Sequence, residues 1–312
     1  APARSRRARS RPKSPPSARR PIARSRSTCS CCRTAAPDAA TVARALAASD
    51  PLNATLGLPP GTAPARYAPD FRAQLDALVA LRVPVASFTF GVLDAADVAR
   101  LQAAGTYVIG TATHVAEGLA WQAAGADALS AQGAEAGGHR GTFIGSADDA
   151  LIGTLALVPQ LVDATGCPRL PRAASWTAAG SRPRSRSAHR ARSSAPRSSP
   201  ARKARSRRTG RRASSTSADT STQVTRAITG RHARGLRNTL MARLGERVAD
   251  AAPYPVQNAL TQPPAPGRRA CDDGDYLSLW AGQGAPLARR RGDALTTSQL
   301  VAALDAEWRA TA

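Results

Sequence analysis

Two stretches of this 312-residue chain contain no acidic side chain. Residues 1–33 and 169–213 hold 11 and 15 of the 44 Lys and Arg residues, and neither holds an Asp or a Glu. The whole chain stands at +23, a balance that suggests a polyanionic partner. Outside the two stretches, 18 basic residues face all 21 acidic ones, so the excess charge belongs to the segments and not to the rest of the chain. Apolar runs near the ~20 residues needed to span a bilayer are also missing, and a soluble, cytoplasmic protein with no membrane partner is expected. The N-terminal APARSRRARSRPKSPPSARR has the composition of a transit peptide but not a clear amphipathic period. Five cysteines, of which Cys29, Cys31 and Cys32 fall in TCSCC, give neither paired CxxC metal spacing nor an even disulfide framework. A reduced, metal-free chain is expected. The arginine tracts lack interleaved aromatics, an RNP-like motif and zinc spacing. A basic, RS-like nucleic-acid-binding protein is therefore the rival reading, with nonspecific, salt-sensitive phosphate binding as all that such charge provides.

A regular pattern begins near residue 70. APDFRAQLDALVALR has helical spacing, and VPVASFTF reads as a buried strand after Pro84. DAADVARLQAAG is a second helix, with Asp94 as its N-cap and Gly105 beyond its end. TYVIG, THVAEGLAWQAAG and ADALSAQ continue as strand, helix and strand, and LIGTLALVPQLVDATGCP adds an amphipathic helix. Strand follows helix at a spacing that suits only tight parallel βα units, which close as a doubly wound sheet or a (β/α)8 barrel. Periodicity does not choose between them. Ordinary composition returns after residue 218, where DTSTQVTRAITGRHARGLRNTLMARLG has helical spacing and TTSQLVAALDAEWRA predicts a closing helix.

AQGAEAGGHRGTF, residues 131–143, follows the last of these strands on the edge where parallel α/β folds place their chemistry. Its four glycines let backbone approach a ligand and expose amides to anionic oxygens. His139 is the side chain there able to exchange a proton near neutral pH, and Gln132 offers a donor and an acceptor to a heteroaromatic ring. A lone histidine more often caps a turn, but this position on the reactive edge favours a catalytic reading.

GADALSAQGAEAGGHRGTF resembles the signature of the nitronate monooxygenases, formerly 2-nitropropane dioxygenases. APYPVQNALT (252–261) and DYLSLWAGQG (275–284) resemble that family's C-terminal motifs in the same order. The resemblance implies an FMN-dependent TIM-barrel oxidoreductase acting on an alkyl nitronate or nitroalkane with O2, to give a carbonyl compound and nitrite. It also implies His139 as catalytic base, with Gln132, Gly137 and Gly138 at the FMN. The FMN-dependent enoyl-ACP reductases share much of this architecture and are the alternative within the fold. Arg140, Tyr276, Trp280 and Gln283 lie in family-like motifs with packing or loop anchoring as their expected role.

The family's phosphate-holding strand and loop, of the type AAGGIxDGRGI and QLGTAF, is not present where it should follow VDATGCP. Read one nucleotide earlier, the codons for Trp176 and Thr177 force GAC, an aspartate, and the neighbouring junctions permit GGIMDGRGI and a later GTAF. Read the same way, RRPIARSRSTCSCCR permits a family-like NLF strand, with a leucine forced at the junction of Cys31 and Cys32. The expected organisation is therefore a basic out-of-frame segment over 1–33, FMN-barrel βα units over 34–168, a second such segment over 169–217, and a C-terminal part of the same domain over 218–312. The two basic segments, short of large apolar residues, are expected to be loose and disordered, and the barrel incomplete.

Overall fold

A computed structural model describes residues 37–165, 216–261 and 274–287, single residues 213, 299, 302 and 306, and the backbone of 28–30 and 169–172. In chain order, β1 (Thr28–Ser30) is followed by α1 (Ala39–Thr55), α2 (Phe71–Ala80), β2 (Val85–Thr89), α3 (Ala95–Ala103), β3 (Tyr107–Ala112), α4 (Val115–Ala123) and β4 (Ala128–Gln132). Then come β5 (Gly138–His139), α5 (Thr154–Thr165), β6 (Arg169–Arg172), β7 (Thr222–Thr225), β8 (Ala233–Leu236), α6 (Thr239–Gly245) and α7 (Val256–Thr261).

Local chemistry accounts for most of these boundaries. Asp38 and Asp70 cap α1 and α2 through the amides of Thr41 at 2.8 Å and Ala73 at 3.1 Å. Asp94 occupies the N-cap of α3, but its carboxylate makes no capping bond and lies 3.6 Å from Arg72 instead. Gly105 and Gly125 follow α3 and α4 at φ of +87° and +86°, a left-handed turn that glycine takes without strain.

β1, β2, β3, β4 and β6 form one parallel sheet in that order. A doubly wound sheet reverses its order at a switch point, and this one does not. Its winding is that of a barrel, but β1 and β6 end it as edges, so among the described residues the sheet is an open arc, in keeping with the incomplete (β/α)8 barrel expected from the sequence. All five residues of β4 are buried, as expected of a parallel strand covered on both faces. The core joins Leu75 and Leu78 of α2, Phe88, Val98, Leu101, Val108, Trp121, Leu129, and Leu157 and Leu161 of α5. Gly110 lets Trp121 lie flat against β3, and the indole NH donates to Thr111 O at 3.1 Å.

Two expectations are corrected, and a third falls mostly outside the described residues. The basic segments are not wholly loose: Thr28–Ser30 pairs with β2 and Arg169–Arg172 with β4, both in parallel. Ladder bonds are made by backbone, which any side chain permits, and an arc of parallel strands presents unpaired donors and acceptors at each end. The helical spacing read over 219–245 yields a helix only at α6; β7 and β8 pair antiparallel before it. Gly235 explains the override, because a Cβ there would lie 2.9 Å from Leu279 O, and its backbone bridges Trp280. The closing helix predicted for 296–310 lies outside the described residues except for 299, 302 and 306, which are helical.

Candidate active site

The segment after β4 is fastened to the strand ends at four points. Gln132 donates from Nε2 to His139 O at 2.9 Å and accepts from Gly141 N at 2.7 Å, so one amide clasps both sides of residue 140. Gly141 sits where a Cβ would meet Thr111 Cγ2 at 2.8 Å and Thr89 Oγ1 at 3.0 Å, between the ends of β2 and β3. Arg140 is fully buried and donates to Gly133 O at 2.7 Å, Gln132 O at 3.2 Å and Ala150 O at 2.9 Å. Burial pulls its guanidinium down to about 10, against the opposing pull of Glu117. Glu117, also fully buried, accepts from Thr113 N at 2.6 Å, Thr113 Oγ1 at 2.7 Å, Phe143 N at 2.5 Å and Ile144 N at 3.2 Å. The loop is held by charges whose hydrogen bonds are inside the protein, which fixes its geometry.

His139 stands on β5, which pairs with β8, and β8 pairs with β7, so a three-stranded antiparallel sheet carries it at the edge of the parallel arc. Its imidazole is walled by Phe90, Tyr254 and Trp280, with ring centroids at 5.7, 5.6 and 5.4 Å. Phe90 adopts φ of +71°, costly for a residue with a Cβ, and this turns its ring toward His139 at the end of β2. Arg231 lies 4.2 Å above the Phe90 ring and donates to Arg140 O at 2.9 Å and to Thr142 O. Burial, and secondarily the Arg231 charge, lower the His139 pKa from 6.5 to about 4. At neutral pH the ring is therefore uncharged, a proton acceptor among aromatic faces. Its Nε2 lies 3.0 Å from Thr229 Oγ1.

The residues singled out from sequence meet here with different tasks. His139 is at the centre. Both polar ends of Gln132 are committed to the loop backbone. Gly137 is required by the crossing chain, since a Cβ would come within 2.4 Å of the backbone of Ala281 and Gly282. Gly138, at φ of +84°, has open space on its Cβ side. Arg140 is the loop anchor, and Trp280 walls the histidine. Sequence reasoning missed Phe90, Thr229, Arg231 and Tyr254. A signal for Phe90 was the aromatic–glycine pair closing its strand; Tyr254 lay inside a recognised motif with no role attached.

A parallel α/β arc with barrel winding and a neutral imidazole at its strand ends defines the fold class, α/β with a parallel sheet core, and marks the strand-end edge as the candidate active site. Comparison with known proteins is more specific: the nitronate monooxygenase family model matches residues 34–174 and 201–307. A probable nitronate monooxygenase of Staphylococcus aureus (strain Newman) is 32% identical over 219 residues, 70% of this chain and 62% of that protein. The chain's match thus spans less than two thirds of that relative's length. A nitroalkane oxidase from Streptomyces ansochromogenes, solved by crystallography, is 31% identical with a TM-score of 0.73, over 88% of this chain and 78% of that one. FabK from Thermotoga maritima, at 19% identity and a TM-score of 0.57 over 78% of this chain and 74% of that one, shares the fold. The chain belongs to the nitronate monooxygenase family. The parts the family match leaves between and before its two blocks, 1–33 and 175–200, fall within the acid-free segments.

Proposed function

We propose that this site oxidises an alkyl nitronate, or a nitroalkane after deprotonation, with O2, and that His139 is the base that takes the α-proton. The observation that carries this is the uncharged imidazole held by Phe90, Tyr254 and Trp280 at the C-terminal ends of parallel strands. A ring that protonates only near pH 4 is an acceptor at neutral pH, which favours proton abstraction over a standing imidazolium that steadies an anion. The residues present suit an FMN ring: Gly138 opens to free space, and the aromatic side chains give an apolar surround beside it. Gln132 and Gly137 serve that cofactor by shaping the loop that offers Gly138 and His139. When bound, FMN supplies the electron transfer to O2, and the protein orients the substrate and excludes water. A His139→Asn variant of the frame-restored chain is expected to lose nitroalkane turnover far more than turnover of preformed nitronate. Equal loss on both would overturn the base assignment.

The acid-free segments bear on whether the chain as written can act. We propose that 1–33 and most of 169–215 are translated out of frame, replacing the glycine-rich strand and loop that hold the FMN phosphate in the family. The forced Asp at the Trp176–Thr177 junction and the break in the family match over 175–200 support this. The chain as written is then expected to purify without a flavin absorbance band, and the frame-restored chain to be yellow. Resequencing that confirms both stretches in frame, with no compensating single-base shifts at their borders, would sink the idea.

A further inference from the structure

Four histidines occur in the chain, and only His139 is ringed by aromatic side chains among the described residues. A neutral imidazole has two tautomers with different reactive nitrogens, and the partner of one nitrogen decides which is present. At His139 that partner is a hydroxyl, which can donate or accept. Its second contact removes the ambiguity. Thr229 Oγ1 lies 3.1 Å from the carbonyl oxygen of Arg231, which can only accept, so the single hydroxyl proton points there. If that proton turned toward His139 instead, the hydroxyl and carbonyl oxygens would face each other at this distance with no proton between them.

We infer that Thr229 is a positioning residue that sets the tautomer of His139: Nε2–H donates to Thr229 Oγ1, Thr229 donates to Arg231 O, and the lone pair is left on Nδ1. The chain of bonds runs 3.0 Å and then 3.1 Å and ends on a backbone acceptor, so it holds a proton in place and offers it no route onward. Thr229 is buried, and no water is needed to complete the relay. Arg231 has two parts in the arrangement: its carbonyl terminates the relay, while its guanidinium helps keep the ring uncharged. The catalytic consequence rests on the proposed base role of His139. Proton abstraction then occurs at Nδ1, and a substrate must present its α-carbon to that nitrogen.

The test is nitrogen-detected and needs neither flavin nor turnover. The full chain is labelled with 15N-histidine, and the imidazole resonances of His139 are identified at pH 7 by their loss in His139→Asn. The expected result is a slowly exchanging proton on Nε2 and an unprotonated shift for Nδ1. Thr229→Val should speed exchange of that proton and mix the two tautomers, and Thr229→Ser should restore the original spectrum. A protonated Nδ1 in the unaltered chain, or an unchanged His139 spectrum in Thr229→Val, would overturn the inference. The two readings fail separately: a frame-restored His139→Asn enzyme that keeps its nitroalkane activity ends the base assignment and leaves the tautomer standing.

Discussion

The depressed pKa of His139 ties the site to the stability of the whole fold. In the unfolded chain the imidazole takes a proton near 6.5, and in the fold only near 4. Between those values the unfolded state binds more protons, so stability falls as the pH drops through the window and is unaffected by this group above it. At about 1.36 kcal/mol per pH unit, the full gap is worth about 3 kcal/mol, of which about 2 kcal/mol is already lost at pH 5. The perturbation is His139→Asn, which keeps a polar side chain and removes the titration. Urea unfolding of both proteins at pH 7 and pH 5 gives the comparison. Every other titrating group contributes nearly equally to the two, so the unaltered chain should lose about 2 kcal/mol more than the variant between these pH values. Equal losses would mean that the imidazole is solvated in the fold, and the argument for an uncharged base among aromatic rings would go with it.

Two further outcomes follow from close contacts. Gly110→Ala would place a methyl 2.2 Å from Trp121 Cδ2, forcing the indole out of its seat on β3; a loss of about 3 kcal/mol and a red-shifted tryptophan emission are expected, and an unaltered urea midpoint would refute the packing. Glu117→Gln puts an NH2 group against one of the two donor sets that Glu117 now accepts, Thr113 N with Thr113 Oγ1 or Phe143 N with Ile144 N. It should cost about 2–4 kcal/mol in urea unfolding, and faster amide exchange at Phe143 or Thr113 would show which set is lost, whereas unchanged stability and exchange would contradict the clamp.

The βα units were legible because their signals are local. Alternating and helical spacing, together with Gly105 and Gly125 just past two helices, fix β2 to β4 and α2 to α4 with little help from the rest of the chain. The segment 222–236 was not legible, because its strands depend on the approach of Leu279 and Trp280, far along the sequence, to Gly235. The same distinction runs through the site. His139 declared itself through its motif, whereas Thr229 and Arg231 are ordinary residues until the fold carries them to it. Gln132 lies between the two cases, since its place at a strand end is legible in the sequence while the closing of the loop by its amide, through His139 O and Gly141 N, is a product of the fold.

His139 is 90 positions upstream of Thr229, and its last aromatic wall, Trp280, comes later still. On a ribosome adding ~5–20 residues per second, roughly 7–28 s separate the synthesis of this histidine from that of the tryptophan. Throughout that interval the imidazole is without its Trp280 wall, and for the first part of it without Thr229 as well. The surroundings that lower its pKa are thus completed late, when the downstream half packs against the part made first.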